Sequence, residues 1–377
     1  MINSSSSKKL YIIAGEASGD LHGSNLIKQL KNIDSAIDIR CWGGDKMQAE
    51  GATLVKHFKE LAFMGFIEVV KNLPTILKNI SFCKEDILAY KPNAIILIDY
   101  PGFNLRIAKW AKQQGIKVIY YISPQVWAWK ENRVKLMKQC IDKMICIIPF
   151  EKDFYKNKWN WDVEYVGHPL VEVVEQFNIQ HSNLKIENNI IALLPGSRKQ
   201  EILTKLPIML SVVEHFPTYQ FVVAKAPGLD EDFYNNLIAP YKNVSWVVNE
   251  TYALLSKAKA ALVTSGTATL ETALFGVPQI ICYKGSNISY QIAKKLIKIK
   301  FIGLVNLIMD KEVVKELIQH QLTTQNLHKE LTLLLEDGTK LQQLKSDYAL
   351  LWQLLKQGGN ASENAAQSIY TFLYPTA

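Results

Sequence analysis

Apolar runs of four to six residues alternate along the chain with longer stretches in which apolar residues recur at helical spacing. The runs of the first half are Lys9–Ala14, Ile37–Trp42, Asn93–Ile98, Lys117–Ile122, Lys143–Ile148 and Val163–Val166. Those of the second are Ile190–Leu194, Gln220–Val223, Val244–Val247 and Ala260–Val263, with one more after Pro278. Runs without polar alternation are expected of strands covered on both faces, as in a parallel sheet. Helices are expected between them, over Ser24–Lys31, Leu105–Gln114, Glu231–Ala239, Tyr252–Lys257 and Ala268–Phe275. Such βα alternation in both halves predicts an α/β protein of two Rossmann-like doubly wound domains facing a central cleft.

The pattern loosens and turns polar from Glu172 to Asn189. A first domain over 1–170, a linker over 171–189 and a second domain over 190–345 are therefore expected. Everything from Asp310 onward is helical in pattern, and residues 346–377 are expected as C-terminal helices packing back towards the N-terminal domain.

Composition narrows the class without naming a partner. The 377 residues are 48% hydrophobic and 21% charged, which suits a folded chain with two cores. No signal peptide and no apolar stretch of the roughly 18 residues that span a bilayer are legible, so a cytoplasmic protein is expected. Cys41, Cys83, Cys140, Cys146 and Cys282 are scattered with no CxxC pair, as reduced core residues would be. The net charge of +8 favours an anionic partner, whether nucleic acid, phosphorylated metabolite or acidic membrane face.

Candidate chemistry lies where the apolar runs end. Ala260–Val263 opens into Ser265-Gly266-Thr267 at a helix start, and Ile190–Leu194 opens into Pro195-Gly196-Ser197-Arg198. Free N–H groups at helix N-termini suit phosphate, so the two loops suggest a diphosphate held between them, with Arg198 taking phosphate oxygens. Glu271 lies a turn into its helix, where a carboxylate accepts the hydroxyls of a ribose or simply faces water. Asp99 follows a core strand directly and is the best candidate for a general base, with a turn-forming Asp before Pro as the plain alternative. Glu16, Ser18 and Asp20 follow the first strand within a GxxxGxxxG spacing, where helix capping competes with a ligand role. There is no P-loop and no Asp-x-Asp with an apolar strand directly before it, so neither a metal nor another cofactor is expected. Leu61–Val70 is greasy, either a buried helix or a patch for acyl chains. The lysines of 284–301 interleave with apolar residues as in a membrane-surface helix.

GEASGD (15–20), FMGFIEVV (63–70), IDYPGFN (98–104), SPQVWAW (123–129), GHP (167–169), LLPGSR (193–198) and SGTATLE (265–271) together resemble lipid-A-disaccharide synthase, a family 19 glycosyltransferase with the GT-B fold. The match runs from about Tyr11 to Asn306 in the same order. The resemblance implies a metal-independent inverting transfer in lipid A biosynthesis, joining UDP-2,3-diacylglucosamine to 2,3-diacylglucosamine 1-phosphate (lipid X). The 1–170 domain would take the acceptor and the 190–345 domain the UDP-sugar. Asp99 would be the base and Glu16 would position substrate. Arg198, Ser265, Gly266 and Thr267 would hold the diphosphate, Glu271 the ribose, and Asn306 would lie in the nucleotide pocket. Phe63, Met64, Phe66 and Ile67 would meet acyl chains or membrane. An anionic inner-membrane surface on its cytoplasmic face is the implied peripheral partner, nucleic acid is not expected, and a homodimer is a candidate assembly. The rivals are another UDP-sugar transferase of the same fold, a UDP-sugar epimerase, and a non-catalytic nucleotide-sugar binder.

Overall fold

The computed structural model describes residues 8–61, 73–183, 187, 189–226, 228–286, 290–291 and 299–375. The chain divides into two compact units, Met1–Pro169 with Lys356–Ala377, and Leu170–Leu355.

The first unit is built on β1 (Lys9–Ala14), β2 (Asp38–Gly43), β3 (Thr53–His57), β4 (Ala94–Ile98), β5 (Lys117–Tyr121), β6 (Lys143–Cys146) and β7 (Glu164–Tyr165). All pair in parallel, in the order β3-β2-β1-β4-β5-β6-β7. Helices cover both faces, which is why AIILI of β4 is buried at every position. The order reverses between β1 and β4, whose last residues Ala14 and Ile98 are partners. Ligands of open α/β sheets bind outside the carboxyl ends of strands at such a reversal. The chain leaves the sheet here through Gly15-Glu16 on one side and Asp99-Tyr100 on the other.

The first helix runs over Ala17–Ile33 and does not wait for Ser24. Gly19 and Gly23, the last two glycines of the GxxxGxxxG spacing, lie inside it. A Cβ on Gly19 would stand 3.0 Å from that of Ala14, and one on Gly23 would stand 2.7 Å from Met47 Sδ. These glycines let the helix lie close on the sheet. Asp20 is buried and caps a different helix, Asp45–Ala49, accepting from the backbone N–H groups of Gly44 (2.8 Å), Lys46 (3.2 Å) and Met47 (3.1 Å).

The second unit repeats the plan with β8 (Ile190–Leu194), β9 (Gln220–Lys225), β10 (Val244–Val248), β11 (Ala260–Thr264), β12 (Gln279–Tyr283) and β13 (Lys315–Ile318). The order is β10-β9-β8-β11-β12-β13, again all parallel, and the reversal falls between β8 and β11. Strand β13 lies where only helix was expected: KELI is too short and too charged to announce itself. Residues 171–189 begin inside a helix, Pro169–Gln180.

Near its end the chain returns to the first unit. The helix Gly338–Lys356 belongs to the second unit up to Leu355, whereas Ala361–Leu373 lies against Ala17–Ile33 and buries Ala361, Ala365, Ala366 and Ile369. Lys8 ties this helix down, donating to Tyr370 Oη at 2.5 Å and Asp34 Oδ2 at 2.6 Å. Gly167 and Gly358 lie backbone to backbone, since a Cβ on Gly358 would stand 2.1 Å from Gly167 N. Among the described residues no helix is long and apolar enough to cross a membrane.

Candidate functional site

At the reversal of the first sheet the backbone takes a strained course. Asp99 and Tyr100 have φ of +43° and +48°, and the β-branched Ile122, next along after β5, has +66°. The Asp99 carbonyl is gripped from below. Asn104, fully buried, donates to it at 2.8 Å and to the Ile98 carbonyl at 3.2 Å, and the Tyr120 hydroxyl donates to it at 2.5 Å. Gly15 completes the arrangement, because any Cβ there would fall 2.4 Å from the Tyr100 ring. The chain thus holds the Asp99 side chain at the open end of β4, exposed to solvent on one side.

Loss of solvation pushes the Asp99 carboxyl up to about 7, and the neighbouring Glu16 carboxylate adds to the effect against a bond from the Tyr100 N–H. A carboxylate with that affinity accepts a proton readily near neutral pH. Glu16 itself is half-buried at the cap of Ala17–Ile33.

Below the neighbouring strand ends lies a buried polar layer. Glu151 is fully buried, accepting from Trp127 Nε1 (3.1 Å) and the Ile148 backbone N–H (3.1 Å). Burial pushes it up to about 8, with Asp99 among the charges that face it. Ser123 and Tyr155 share a hydrogen bond of 2.6 Å beside it. The two tryptophans of SPQVWAW therefore part company. Trp127 is anchored through Glu151 and packs edge-on against Phe150, whereas Trp129 is exposed with the Lys130 ammonium 4.1 Å from its ring centre.

In the second unit, Leu194 at the end of β8 is the partner of Val263, one residue before the end of β11, so the loops that lead into the helices Lys199–Leu210 and Thr267–Leu274 leave neighbouring strands at the same edge. Arg198 and Gly266 are their N-cap residues, and neither helix start is closed by a capping side chain. Backbone donors and the positive ends of both helix dipoles are thereby left at one strand end. Gly196 and Gly266 have φ of +113° and +137°, which only glycine adopts without strain. Arg198 is exposed, 3.5 Å from Glu201. Gly266 and Thr267 are exposed, and Ser265, half-buried, donates to the Ile302 carbonyl at 3.0 Å. Glu271 is half-buried and accepts from Tyr252 Oη at 2.9 Å; burial raises its pKa.

The lipid-A-disaccharide synthetase family profile matches residues 10–370. The chain belongs to this family. It is 36% identical over 376 residues to the lipid-A-disaccharide synthase of Geobacter metallireducens, covering 97% of each chain. Among solved structures it is similar to the glycosyltransferase of kitacinnamycin (TM-score 0.67, 13% identity, 98% of this chain and 100% of that one). It is also similar to the UDP-GlcNAc 2-epimerase of Neisseria meningitidis (TM-score 0.66, 13% identity, 96% and 100%), and both likenesses bear on the fold alone. As a lipid-A-disaccharide synthase the chain is a glycosyltransferase of lipid A biosynthesis with an α/β, GT-B fold of two doubly wound sheets.

In this lipid-A-disaccharide synthase Asn306 sits in a short helix, Leu304–Met309. It is fully buried and its amide is committed to the protein: Nδ2 donates to the Val314 carbonyl and Glu316 Oε1, and Oδ1 accepts from the Val313 and Val314 N–H groups, all within 2.8–2.9 Å. Glu316 in turn accepts from the N–H groups of Ile302 and Gly303. The pair thus braces the loop that Ser265 touches. Phe63, Met64, Phe66 and Ile67 lie outside the described residues, as do Lys294, Lys295 and Lys298. His168 is buried and held to about 3 by desolvation, with His22 near it, as a structural imidazole is. Among the described residues no cluster of His, Cys, Asp or Glu is arranged to hold a metal ion. Residues that the motifs did not disclose are Asn104, Glu151 and Lys205. Only the first lies in a quoted motif, and a polar residue that ends up buried carries no mark in a single sequence.

Proposed function

We propose that the chain moves 2,3-diacylglucosamine, with inversion, from UDP-2,3-diacylglucosamine to the 6-hydroxyl of lipid X. The products are the β-1,6-linked disaccharide 1-phosphate and UDP. The acceptor oxygen forms its bond to the anomeric carbon as the bond from that carbon to the diphosphate breaks. The hydroxyl proton passes to Asp99, and the electron pair leaves with UDP. The single observation that carries this reading is the place of Asp99, held directly after β4 where the first sheet reverses, with Glu16 across the reversal raising its proton affinity.

Glu16 keeps the Asp99 proton affinity high and positions substrate. In the second unit the two open helix starts, with Arg198, Ser265, Gly266 and Thr267, take the diphosphate and stabilise the charge that develops on it. Glu271, whose Oε1 is fixed by Tyr252, accepts from the ribose through Oε2. Asn306 acts by bracing the Ile302–Gly303 loop through Glu316. Phe63, Met64, Phe66 and Ile67 receive acyl chains, and the net charge of +8 draws the chain to an anionic inner-membrane face. Neither a metal nor another cofactor is part of this mechanism.

The test is turnover of purified protein with UDP-2,3-diacylglucosamine and lipid X in EDTA, run beside UDP-N-acetylglucosamine as donor. Disaccharide and UDP are expected from the acylated donor only. Turnover of the unacylated donor alone would overturn the assignment, and loss of activity in EDTA would overturn its metal-free form.

A further inference from the structure

Beneath the proposed diphosphate loops lies a buried cation. Lys205 sits in the second turn of Lys199–Leu210, on the face turned to the sheet, and is only 5% exposed. Its ammonium donates to Thr264 Oγ1 at 2.5 Å, and Thr264, itself 7% exposed, is the last residue of β11. Among the described residues Lys205 has no carboxylate within ion-pair distance. A charge removed from water with only a neutral hydroxyl as partner is costly, and a leucine or methionine would fill the same volume without that cost.

The hydrogen-bond arithmetic at Thr264 shows where the charge is directed. Its oxygen accepts a hydrogen bond from the ammonium, so its own O–H is left to donate elsewhere. No acceptor for it appears among the described residues, while the next residues along are Ser265, Gly266 and Thr267. The loop therefore carries a hydroxyl donor polarised by a cation behind it, beside two open helix starts.

We propose that Lys205 is a positioning residue for the nucleotide diphosphate: through Thr264 it aims a charge-assisted donor at the phosphate oxygens and supplies positive potential behind them. The proposal rests on the UDP-sugar reading of this unit. The groups that face Lys205 are Arg198 and Glu201 on its own helix, Thr264 on β11 and Cys282 on β12, with Tyr283 beside Glu201. Burial, with Arg198 adding to it, lowers the Lys205 pKa, against the Glu201 and Cys282 charges. An anion bound in front restores the charged form, so UDP binding takes up a proton wherever the free amine is partly neutral.

Calorimetry of the full chain tests this, with UDP and with uridine as the phosphate-free probe, on wild type, Lys205→Met and Thr264→Val. Each variant is expected to lose about tenfold or more in UDP affinity, the double variant little more than either, and uridine affinity is expected to stay unchanged. UDP titrations in two buffers of different ionisation enthalpy, repeated across pH, should show greater proton uptake in wild type than in Lys205→Met. The melting temperature of ligand-free Lys205→Met should equal or exceed that of wild type, because a buried charge has gone. Unchanged UDP affinity overturns the proposal, and so does a parallel loss of UDP and uridine binding, which marks a merely structural lysine. A wild-type chain that binds uridine-based ligands in neither form overturns the nucleotide reading itself.

Discussion

A carboxyl that titrates near 7 leaves a signature in the rate. With Asp99 pushed up to about 7, roughly a tenth of it is ionised at pH 6 and roughly nine-tenths at pH 8. If it is the base, kcat/KM should therefore rise about tenfold between these values and level off above them. Loss of solvation is the larger cause of the shift and the Glu16 carboxylate the second, so Glu16→Gln should move the midpoint to lower pH without returning it to the ordinary 3.8. Asp99→Asn keeps the shape of the side chain but takes no proton. It should lose about 10²–10⁴-fold in turnover, with a flat profile and unchanged UDP affinity. Initial rates of disaccharide formation in mixed micelles, at constant ionic strength from about pH 5.5 to about 9, give all three profiles. A wild-type rate independent of pH over this range, or an Asn variant within tenfold of wild type, would refute the reasoning.

Three further outcomes follow from particular contacts. Glu271→Ala should weaken UDP binding by about 10- to 100-fold, the loss of one charge-assisted bond, while Tyr252→Phe should weaken it less; an unaltered UDP affinity in the first variant would place the ribose elsewhere. Glu151 has a folded pKa of about 8 against an ordinary 4.5, so the folded state holds the extra proton between these values and stability falls as pH rises from about 4.5 to about 8. Urea unfolding of Glu151→Gln should show a pH slope smaller by up to about 1.4 kcal/mol per pH unit, and equal slopes in both proteins would show that the carboxyl is ionised at no cost. Gly15→Ala should cost about 1–3 kcal/mol of stability and lower turnover, because its methyl displaces the Tyr100 ring; a melting temperature and rate equal to wild type would mean that the ring moves freely.

The sheets were legible because parallel strands covered on both faces must be apolar throughout, as AIILI of β4 and IIALL of β8 are. What escaped were elements that this signal does not reach. Strand β3 is half-buried at a sheet edge and reads TLVKH, while β13 hides Lys315 and Glu316 inside four residues. The helix Ala17–Ile33 was expected only from Ser24, because sequence does not distinguish a glycine that frees the backbone from one, such as Gly19, that lets a helix lie close on a strand. Asp99 was legible from its place after a core strand, but the Glu16 charge that raises it comes from the far side of the reversal, 83 positions away by the numbering. Long-range pairs such as Lys205 with Thr264 and Asn306 with Glu316 exist only once the fold brings them together.

The return of Ala361–Leu373 to the first unit sets an order of events during synthesis. Residues 1–169 leave the ribosome first, yet the helix that covers Ala17–Ile33 follows only after the whole second unit. At about 5–20 residues per second, the 191 residues from 170 to 360 take roughly ten to forty seconds to emerge. For that interval the nascent first sheet carries an uncovered helix face, long enough for a chaperone to occupy it, while the second unit, Leu170–Leu355, is one continuous stretch of chain.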